Sequence, residues 1–392
     1  MKHIILFLII FYTTTIFADP LLVAVLMVKN ESQVMATTLQ PLVDAGIKDY
    51  FIYDTESTDN TIQVTKEFFN KNKITNFKIV QEPWIDFSAS RNRALRLTEQ
   101  QFPNATFIFM IDAEWHLKNG ADLLKFCEKH KNDTTPIYLT KIIENVPPNN
   151  AFLTARLIRC KKNIEFVGKV HEVPNQLSQE KTPDNVFIER TIINNGEASK
   201  KRWLRDCKIL LKEYEENPND SRTVYFLAQT YFCLEDWKNA IKWYEIRANM
   251  PGFHEENFNT IYMLAKAYDA LQNVDKLLCN YIKAFNMCPD RIEPLIRLAV
   301  YFYNNKNFNL AYLFSKPTMD MKCPTTDEAL VIEAEIYDFV RYDMISRLAW
   351  TQGDYKLGKQ ATQIALKKHP ELEHLQYNLK YYNEKLTKES TK

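Results

Sequence analysis

The fold is decided by the stretch Phe107-Ile108-Phe109-Met110-Ile111-Asp112-Ala113-Glu114, in which a continuous apolar run ends directly in two carboxylates. The apolar run predicts a buried β-strand. Because side chains alternate across a strand, we expect Asp112 and Glu114 on the same side of its carboxyl end. Closely spaced carboxylates suit Mg²⁺ or Mn²⁺, which complete their coordination with water and substrate phosphates. The alternative is a strand that ends in a solvated acidic turn.

Two earlier predicted strands also end in polar side chains. Residues 21–28 and 50–53 are apolar runs, and they end in Lys29-Asn30-Glu31 and in Asp54. The same pattern adds a third strand and two helices, at residues 77–80, 62–69 and 88–97. Alternating strands and helices predict an α/β domain with a mostly parallel sheet, whose ligands bind beyond the carboxyl ends of the strands. The three polar strand ends therefore predict one binding site.

The chain has 392 residues, which favours two domains, and we place them at residues 19–197 and 198–385. Residues 1–18 are a separate segment. Lys2 precedes an apolar run, and Ala18 supplies a small residue at its end, as in a secretory signal peptide. The segment is short for a membrane span. It predicts export or a place in the lumen of the secretory pathway, and an uncleaved N-terminal membrane anchor is the alternative.

Composition excludes several other classes of protein. Without residues 1–18 the chain has equal numbers of Lys+Arg and Asp+Glu, so nothing predicts a nucleic-acid partner. Seven scattered cysteines without a C-x-x-C pair predict neither a disulfide framework nor a zinc site. An odd number of cysteines is unusual in an exported chain, because an unpaired thiol is a liability there.

The second half changes to helical periodicity from about Arg202. Leu-Ala pairs recur at Leu227-Ala228, Leu264-Ala265 and Leu298-Ala299, and the last two pairs are 34 residues apart. That spacing is the length of a tetratricopeptide repeat, in which small alanines let paired helices approach closely. Residues 344–366 would form an irregular helical pair that caps the stack. The pattern predicts an all-α superhelix that binds a partner protein, or that only braces the first domain or forms a dimer.

Five ordered strings in the first half carry a family resemblance: VLMVKNES, YFIYDTESTDNT, WIDFSASRNRAL, FIFMIDAEW and FVGKVHE. In this order and spacing they resemble the GT-A catalytic domain of family 2 glycosyltransferases, over about residues 21 to 195. The second half resembles the helical repeat region fused to some of these enzymes. The resemblance implies transfer of a sugar from a nucleotide donor, with UDP as the expected nucleotide.

The resemblance also implies a role for each matched residue. Glu31 and Asp54 would bind the nucleotide, and Arg91 would lie near the diphosphate. Asp112 and Glu114 match the D-x-D motif of the family and would hold Mn²⁺ or Mg²⁺ on the diphosphate. Each of these roles is an expectation that depends on where the fold places the side chain.

The string Val170-His171-Glu172, with Arg156 upstream in TARLIRC, implies a place beside the donor sugar. An inverting transfer needs a carboxylate that takes the proton of the acceptor hydroxyl as it attacks the anomeric carbon. Glu172 is the candidate for this catalytic base. His171 would be a third metal ligand or a contact to the diphosphate, since neutral imidazole can serve either purpose.

Three positions depart from the family pattern. Glu56 and Asn60 stand where the family usually has glycine, and Glu114 replaces the second aspartate of the metal motif. Glu tolerates a left-handed backbone poorly. The sequence therefore predicts a metal-dependent inverting glycosyltransferase. Its acceptor is unidentified, and the repeats favour a protein acceptor. A catalytically inactive scaffold that binds partner proteins is the alternative.

Overall fold

The computed structural model describes residues 19–144, 151–176, 180–190, 196–325, 329 and 331–390. Within these ranges the chain forms an N-terminal sheet region and a C-terminal all-helical region. No helix among these residues is long and apolar enough to cross a membrane. The predicted export segment, residues 1–18, lies outside the described residues.

The sheet region alternates strands and helices through its first half and then becomes rich in strands. Its elements are β1 (Leu22–Val28), α1 (Met35–Asp44), β2 (Asp49–Asp54), α2 (Thr61–Lys71), β3 (Asn76–Gln81), α3 (Phe87–Gln101), β4 (Phe107–Asp112), β5 (Trp115–Lys118), α4 (Gly120–Lys129), β6 (Ile137–Glu144), β7 (Ala151–Arg159), β8 (Phe166–Val167), β9 (Val173–Pro174) and β10 (Phe187–Arg190).

Eight of the strands form one mixed sheet in the order β3-β2-β1-β4-β7-β6-β10-β5. The pairs β3–β2, β2–β1, β1–β4 and β6–β10 are parallel, whereas β4–β7, β7–β6 and β10–β5 are antiparallel. The prediction of a mostly parallel sheet holds for β1 to β4 but is wrong for the other half, where β6–β10 is parallel and the other pairs are antiparallel. The added strands are short or alternate in polarity, so they lack the continuous apolar run that marks a strand buried on both faces.

Strands β1, β2 and β4 are buried on both faces because helices cover each side, whereas β3 lies at the edge of the sheet and is only partly buried. Alternate residues of β1 contribute to two different cores: Leu22, Ala24, Leu26 and Val28 to one, and Val23 and Val25 to the other. Helices α1, α2 and α4 pack on the first core and α3 packs on the second. This two-sided burial accounts for the apolar runs from which the strands were predicted.

The turn after β4 corrects the prediction for the two carboxylates. The strand ends at Asp112, and Ala113 and Glu114 form a turn into β5. Glu114 has a φ of 67°, so its backbone is left-handed rather than extended. The alternation that would place Asp112 and Glu114 on one side requires an extended backbone and therefore does not apply.

The helical region consists of helices packed as consecutive pairs. Its helices are α5 (Gly196–Glu216), α6 (Ser221–Cys233), α7 (Trp237–Ala248), α8 (His254–Ala270), α9 (Val274–Met287), α10 (Glu293–Asn304), α11 (Phe308–Ser315), α12 (Arg341–Leu348), α13 (Tyr355–Lys368) and α14 (Glu373–Ser390). A 3₁₀ turn and a π-helical turn, Lys316–Asp320 and Ile336–Val340, lie between α11 and α12.

The burial of the repeat positions agrees with the predicted helix-pair pattern. Helix α6 packs on α7, α8 on α9, α10 on α11, and α12 on α13. The three Leu-Ala pairs that defined the repeat lie on α6, α8 and α10, and all six side chains are buried. The pair α12–α13 falls where a capping pair was predicted, and α14 extends the stack by one more helix. The packing thus has the character of tetratricopeptide repeats.

Candidate functional site

The carboxyl ends of three strands meet at one edge of the sheet. Met27 of β1 is paired with Asp112 of β4, and Val28 of β1 is paired with Asp54 of β2. Glu31 follows β1 by three residues at the same edge. The structure therefore places these three predicted site residues, Glu31, Asp54 and Asp112, where a parallel sheet binds its ligands.

Hydrogen bonds from backbone amides to side-chain oxygens join the loop after β1 to the loop after β2. The Asn30 amide donates to Ser57 Oγ over 2.8 Å, and the Thr58 amide donates to Asn30 Oδ1 over 2.7 Å. The Glu31 amide donates to Thr61 Oγ1 over 2.7 Å. The two loops therefore form one wall of the candidate site, held together by side chains that lie between the strands and α2.

Asp54 is fully buried in this wall. Its Oδ1 accepts hydrogen bonds from the Ser57 amide and from Gln81 Nε2, each over 2.8 Å. Its Oδ2 is also buried and has no hydrogen-bond partner among the described residues. A buried carboxylate oxygen without a donor is costly, so it suits a donor brought by a ligand.

Glu56, one of the departures from the family pattern, adopts the left-handed backbone that favours glycine, with a φ of 63°. We expect Glu56→Gly to raise the free energy of unfolding by about 0.5 to 1 kcal/mol. A left-handed residue with a Cβ costs about 1–2 kcal/mol, and part of that gain is offset by the about 0.5–1 kcal/mol of extra entropy that glycine loses on folding. Urea denaturation measures the change.

The matched control for this prediction is Glu67→Gly, an exposed glutamate inside α2. It should lower the free energy of unfolding by about 1 kcal/mol, because glycine disfavours a helix interior. Equal losses at both positions would contradict the strain at Glu56. Asn60, the other departure, has a φ of −83° and needs no glycine.

Asp112 lies between two arginines. Its Oδ1 is 3.3 Å from Arg91 Nη2 and its Oδ2 is 3.1 Å from Arg156 Nη2. Burial opposes ionisation of this carboxyl, but Arg156 and then Arg91 outweigh burial and lower the pKa of Asp112. Arg91 is 4% exposed and Arg156 is 9% exposed, so both charges need a nearby carboxylate.

Glu172 extends this pair of arginines into a chain of alternating charges. Its Oε1 accepts a hydrogen bond from Arg91 Nε over 2.7 Å. The carboxylate is 12% exposed, and its Oε2 makes no hydrogen bond within the described ranges. The order Glu172–Arg91–Asp112–Arg156 joins residues from β4, β7, α3 and the loop between β8 and β9. Three predicted site residues are thus in direct contact.

Arg156 had no role in the sequence-based prediction, although its string was recognised. Its guanidinium lies 4.4 Å from the centre of the Trp115 ring, and its Nε has no hydrogen-bond partner among the described residues. Pairing of Phe109 with Leu157 brings Arg156 alongside the end of β4. The only signal in the sequence was the position of Arg156 upstream of the Val-His-Glu string.

A second group of carboxylates lies beside the first. Burial, and then the negative charges of Glu114 and Asp59, raise the pKa of Glu31 to about 7. The Glu114 amide donates to Thr38 Oγ1 over 3.1 Å, which fixes the turn. The Glu114 carboxylate makes no hydrogen bond or ion pair with any described residue. Glu31 and Glu114 follow the ends of neighbouring strands, since Met27 of β1 is paired with Asp112 of β4.

His171 faces a different part of the molecule. Its ring stacks on Phe226 of α6, with the ring centres 4.0 Å apart and the planes inclined by 12°. His171 as a residue is exposed, but desolvation of its ring lowers its pKa to about 4, and Arg222, Arg202 and Arg190 contribute to the lowering. Within the part of the chain that the structure describes, no three His, Cys, Asp or Glu side chains are placed to hold a metal ion. The structure thus does not group His171 with Asp112 and Glu114.

Comparison with known proteins gives a distant relationship to a glycosyltransferase. No family model matches the chain. It is 22% identical over 230 residues to the SPbeta prophage-derived glycosyltransferase SunS of Bacillus subtilis (strain 168) and to glycosyltransferase SunS of Bacillus phage SPbeta. Each match covers 57% of this chain and 52% of the relative. The chain therefore spans about half the length of the curated relatives it matches.

Among solved structures the chain is similar to the C-terminal part of a TPR repeat-containing protein from Cytophaga hutchinsonii, with a TM-score of 0.36 and 14% identity over 48% of this chain and 69% of that one. It is also similar to residues 41 to the end of MamA from Desulfovibrio magneticus RS-1, with a TM-score of 0.33 and 15% identity. That match covers 44% of this chain and 89% of MamA.

Proposed function

We propose that this protein is an inverting glycosyltransferase of the GT-A type, which moves a sugar from a UDP-linked donor to an acceptor that the repeats help to select. The observation that carries the proposal is the alternating chain Glu172–Arg91–Asp112–Arg156 at the carboxyl edge of the sheet. It combines a carboxylate suited to proton transfer with two guanidiniums suited to a diphosphate. The distant similarity to glycosyltransferase SunS supports the same class of reaction.

The nucleotide would bind against the wall formed by the loops after β1 and β2. Asp54 Oδ2 is a buried acceptor without a donor, and the ring N–H of uracil is a donor of the right kind. Glu31, at the end of β1, would bind the ribose, whose hydroxyls can donate to a carboxylate or accept from a protonated carboxyl. The pKa of Glu31, about 7, makes both forms accessible near neutral pH.

Arg91 and Arg156 would neutralise the charge that develops on the leaving diphosphate. Both guanidiniums are buried and already oriented by Asp112, so they need little rearrangement as the bond to the sugar breaks. Guanidinium groups bind phosphate oxygens through paired N–H donors. Asp112 would then act chiefly by holding the two arginines at the diphosphate.

The donor set also fits a divalent cation. Mg²⁺ and Mn²⁺ bind through one or two carboxylates and take phosphate oxygens as further ligands, so a cluster of three protein ligands is not required. Glu114 has a carboxylate without a described partner, close to Glu31, and Asp112 keeps lone pairs on both oxygens. We propose that Glu114 and Asp112 hold Mn²⁺ or Mg²⁺, which when bound offsets charge on the diphosphate.

Glu172 would be the catalytic base. Arg91 Nε holds its Oε1, which leaves Oε2 free to accept the proton of an acceptor hydroxyl. In an inverting reaction the hydroxyl oxygen forms the new bond to the anomeric carbon while the bond to the diphosphate breaks on the opposite face. The proton moves to Glu172, and the nucleoside diphosphate leaves with the electron pair.

Calorimetric titration of UDP, with and without Mn²⁺, tests the nucleotide site without an acceptor. We expect cation-dependent binding of UDP, which Asp54→Asn weakens by about tenfold to hundredfold. In that variant the asparagine N–H₂ would face the N–H of the ligand, and two donors without an acceptor cost about 1–3 kcal/mol. Asp49→Asn is the matched control, since Asp49 begins the same strand at the opposite edge of the sheet. That variant should bind UDP as the wild type does.

The second candidate function is an inactive scaffold whose repeats bind a partner. Its partner would have to bind away from one part of α8 and α10. There the Glu333 carboxylate accepts from Tyr262 Oη over 2.9 Å and from Lys266 Nζ over 3.0 Å and pairs with Arg297. These side chains are engaged within the chain itself. Failure of the wild type to bind UDP or GDP with any cation would favour the scaffold.

A further inference from the structure

The loop that carries Glu172 has a backbone held in two left-handed positions. Gly168 has a φ of 95° and His171 has a φ of 54°. Glycine adopts this conformation freely, but histidine does so at a cost, and such a residue persists only where its surroundings fix it. Because His171 directly precedes Glu172, whatever fixes His171 also fixes the direction of the Glu172 side chain.

The surroundings that fix His171 belong to the first repeat helix. Phe226 stacks on its imidazole ring, and Arg222 Nη2 donates a hydrogen bond to its backbone oxygen over 3.1 Å. The Arg222 guanidinium also lies 4.7 Å from the centre of the Phe226 ring. One turn of α6 therefore contacts both the side chain and the backbone of this residue.

Contacts on either side of His171 extend this attachment. Val170 is buried in the core of the repeat region, and the Lys169 amide donates to Glu213 Oε1 of α5 over 3.0 Å. The Lys169 oxygen accepts from the Phe87 amide at the start of α3, over 3.4 Å. The loop thus joins the repeats on one side and the helix that carries Arg91 on the other.

The rest of this interface is loosely filled. A cavity of about 320 Å³ lies between the loop and the helices, lined by Val167, Gly168, Val173, Leu210, Thr223 and Phe226 among others. A closely packed interface would hold the loop through many van der Waals contacts. The cavity removes these contacts where the loop faces the helices. Arg91 holds the Glu172 side chain directly, so the backbone position of Glu172 depends on a few contacts, among them the stack on His171 and the Arg222 hydrogen bond.

We propose that Arg222 and Phe226 of the first repeat are positioning residues for Glu172, so that the helical region completes the catalytic site of the sheet region. The inference rests on the proposed glycosyl transfer with Glu172 as base. It gives the repeats a role in the reaction that neither partner binding nor dimer formation would supply.

Two measurements on the full chain test the proposal together. In Phe226→Ala we expect hydrogen exchange of the amides at 169–172 to accelerate. We also expect kcat for UDP release from a UDP-hexose to fall about tenfold to hundredfold, the penalty for a displaced catalytic group, with the KM for the donor nearly unchanged. Phe226→Tyr keeps the stacked ring and should restore both values. Arg222→Ala should change them in the same direction.

Phe232→Ala is the matched control. Phe232 lies on the same helix, is also half-buried, and packs on Trp237 within the repeats rather than on the loop. It should lower thermal stability while leaving both the loop exchange and kcat at wild-type values. If Phe232→Ala and Phe226→Ala have the same effects, the role of Phe226 is general stability and the proposal is wrong.

The outcomes separate this proposal from the function on which it rests. If Phe226→Ala leaves the exchange of the loop unchanged, or loosens the loop without lowering kcat, Arg222 and Phe226 do not position Glu172. If the wild type binds no nucleotide and releases no UDP, the proposed function fails, and with it the positioning role. Loss of kcat with intact UDP binding and a loosened loop supports both.

Discussion

Replacing Asp112 by alanine is expected to abolish productive UDP binding and to lower the free energy of unfolding by about 3–5 kcal/mol, the cost of leaving a buried charge without its partner. The variant removes the carboxylate that both Arg91 and Arg156 contact. Arg91 keeps Glu172, whereas Arg156 loses its only ion-pair partner among the described residues. The two guanidiniums would then repel each other, and the diphosphate site would lose its shape.

Denaturation in guanidinium chloride and calorimetry with UDP measure the two effects on the same preparation. Adding Arg156→Met to Asp112→Ala should recover much of the lost stability, because the unpaired charge is removed, without recovering UDP binding. Asp122→Ala is the control, since Asp122 pairs with Lys125 on the surface of α4. An exposed pair of this kind contributes about 0–1 kcal/mol. Similar losses in Asp112→Ala and Asp122→Ala would contradict the buried chain of charges.

The part of the fold that could be predicted is the part whose signal is local. Strands β1, β2 and β4 are buried on both faces, and these three and the partly buried β3 were each located from a short run of sequence to within one residue of the observed ends. Strands β8 and β9 have two residues each, and β5 and β10 have four, so all are too short to show the alternation of apolar and polar residues that identifies a strand. The direction of β7 against β4 is set by contacts distant in sequence, which no local pattern contains.

The same distinction applies to the site. Arg91, Asp112 and Glu172 were named from ordered motifs, and the fold brings them into contact although Arg91 and Glu172 are 81 residues apart. Arg156 lies beside Asp112 because β7 pairs with β4 in an antiparallel register, which the sequence does not reveal. His171 was expected at the metal or at the diphosphate, and the direction of its ring is set by a left-handed backbone and by a ring in the other half of the chain, neither of which the motif reveals.

Glu172→Gln separates chemistry from binding. Glutamine keeps the shape of the side chain and an oxygen that can accept from Arg91 Nε, so the loop and the arginines should stay in place. An amide cannot take the proton of an acceptor hydroxyl at neutral pH. We therefore expect the turnover of a UDP-hexose donor to fall by about 10²-fold or more, the scale of general-base catalysis. UDP affinity should stay within about twofold of the wild type.

The result is informative because it differs from that for Asp112, which should lose binding and stability together. Glu165→Gln supplies the control, since Glu165 precedes β8 in the same part of the chain, is 62% exposed and lies 3.9 Å from Arg96. It should retain full turnover. If Glu172→Gln retains turnover, the base lies elsewhere and the contact with Arg91 serves stability alone. If it loses UDP affinity as well, Glu172 acts by orienting Arg91 at the diphosphate, because a proton acceptor for the sugar hydroxyl has no part in binding UDP.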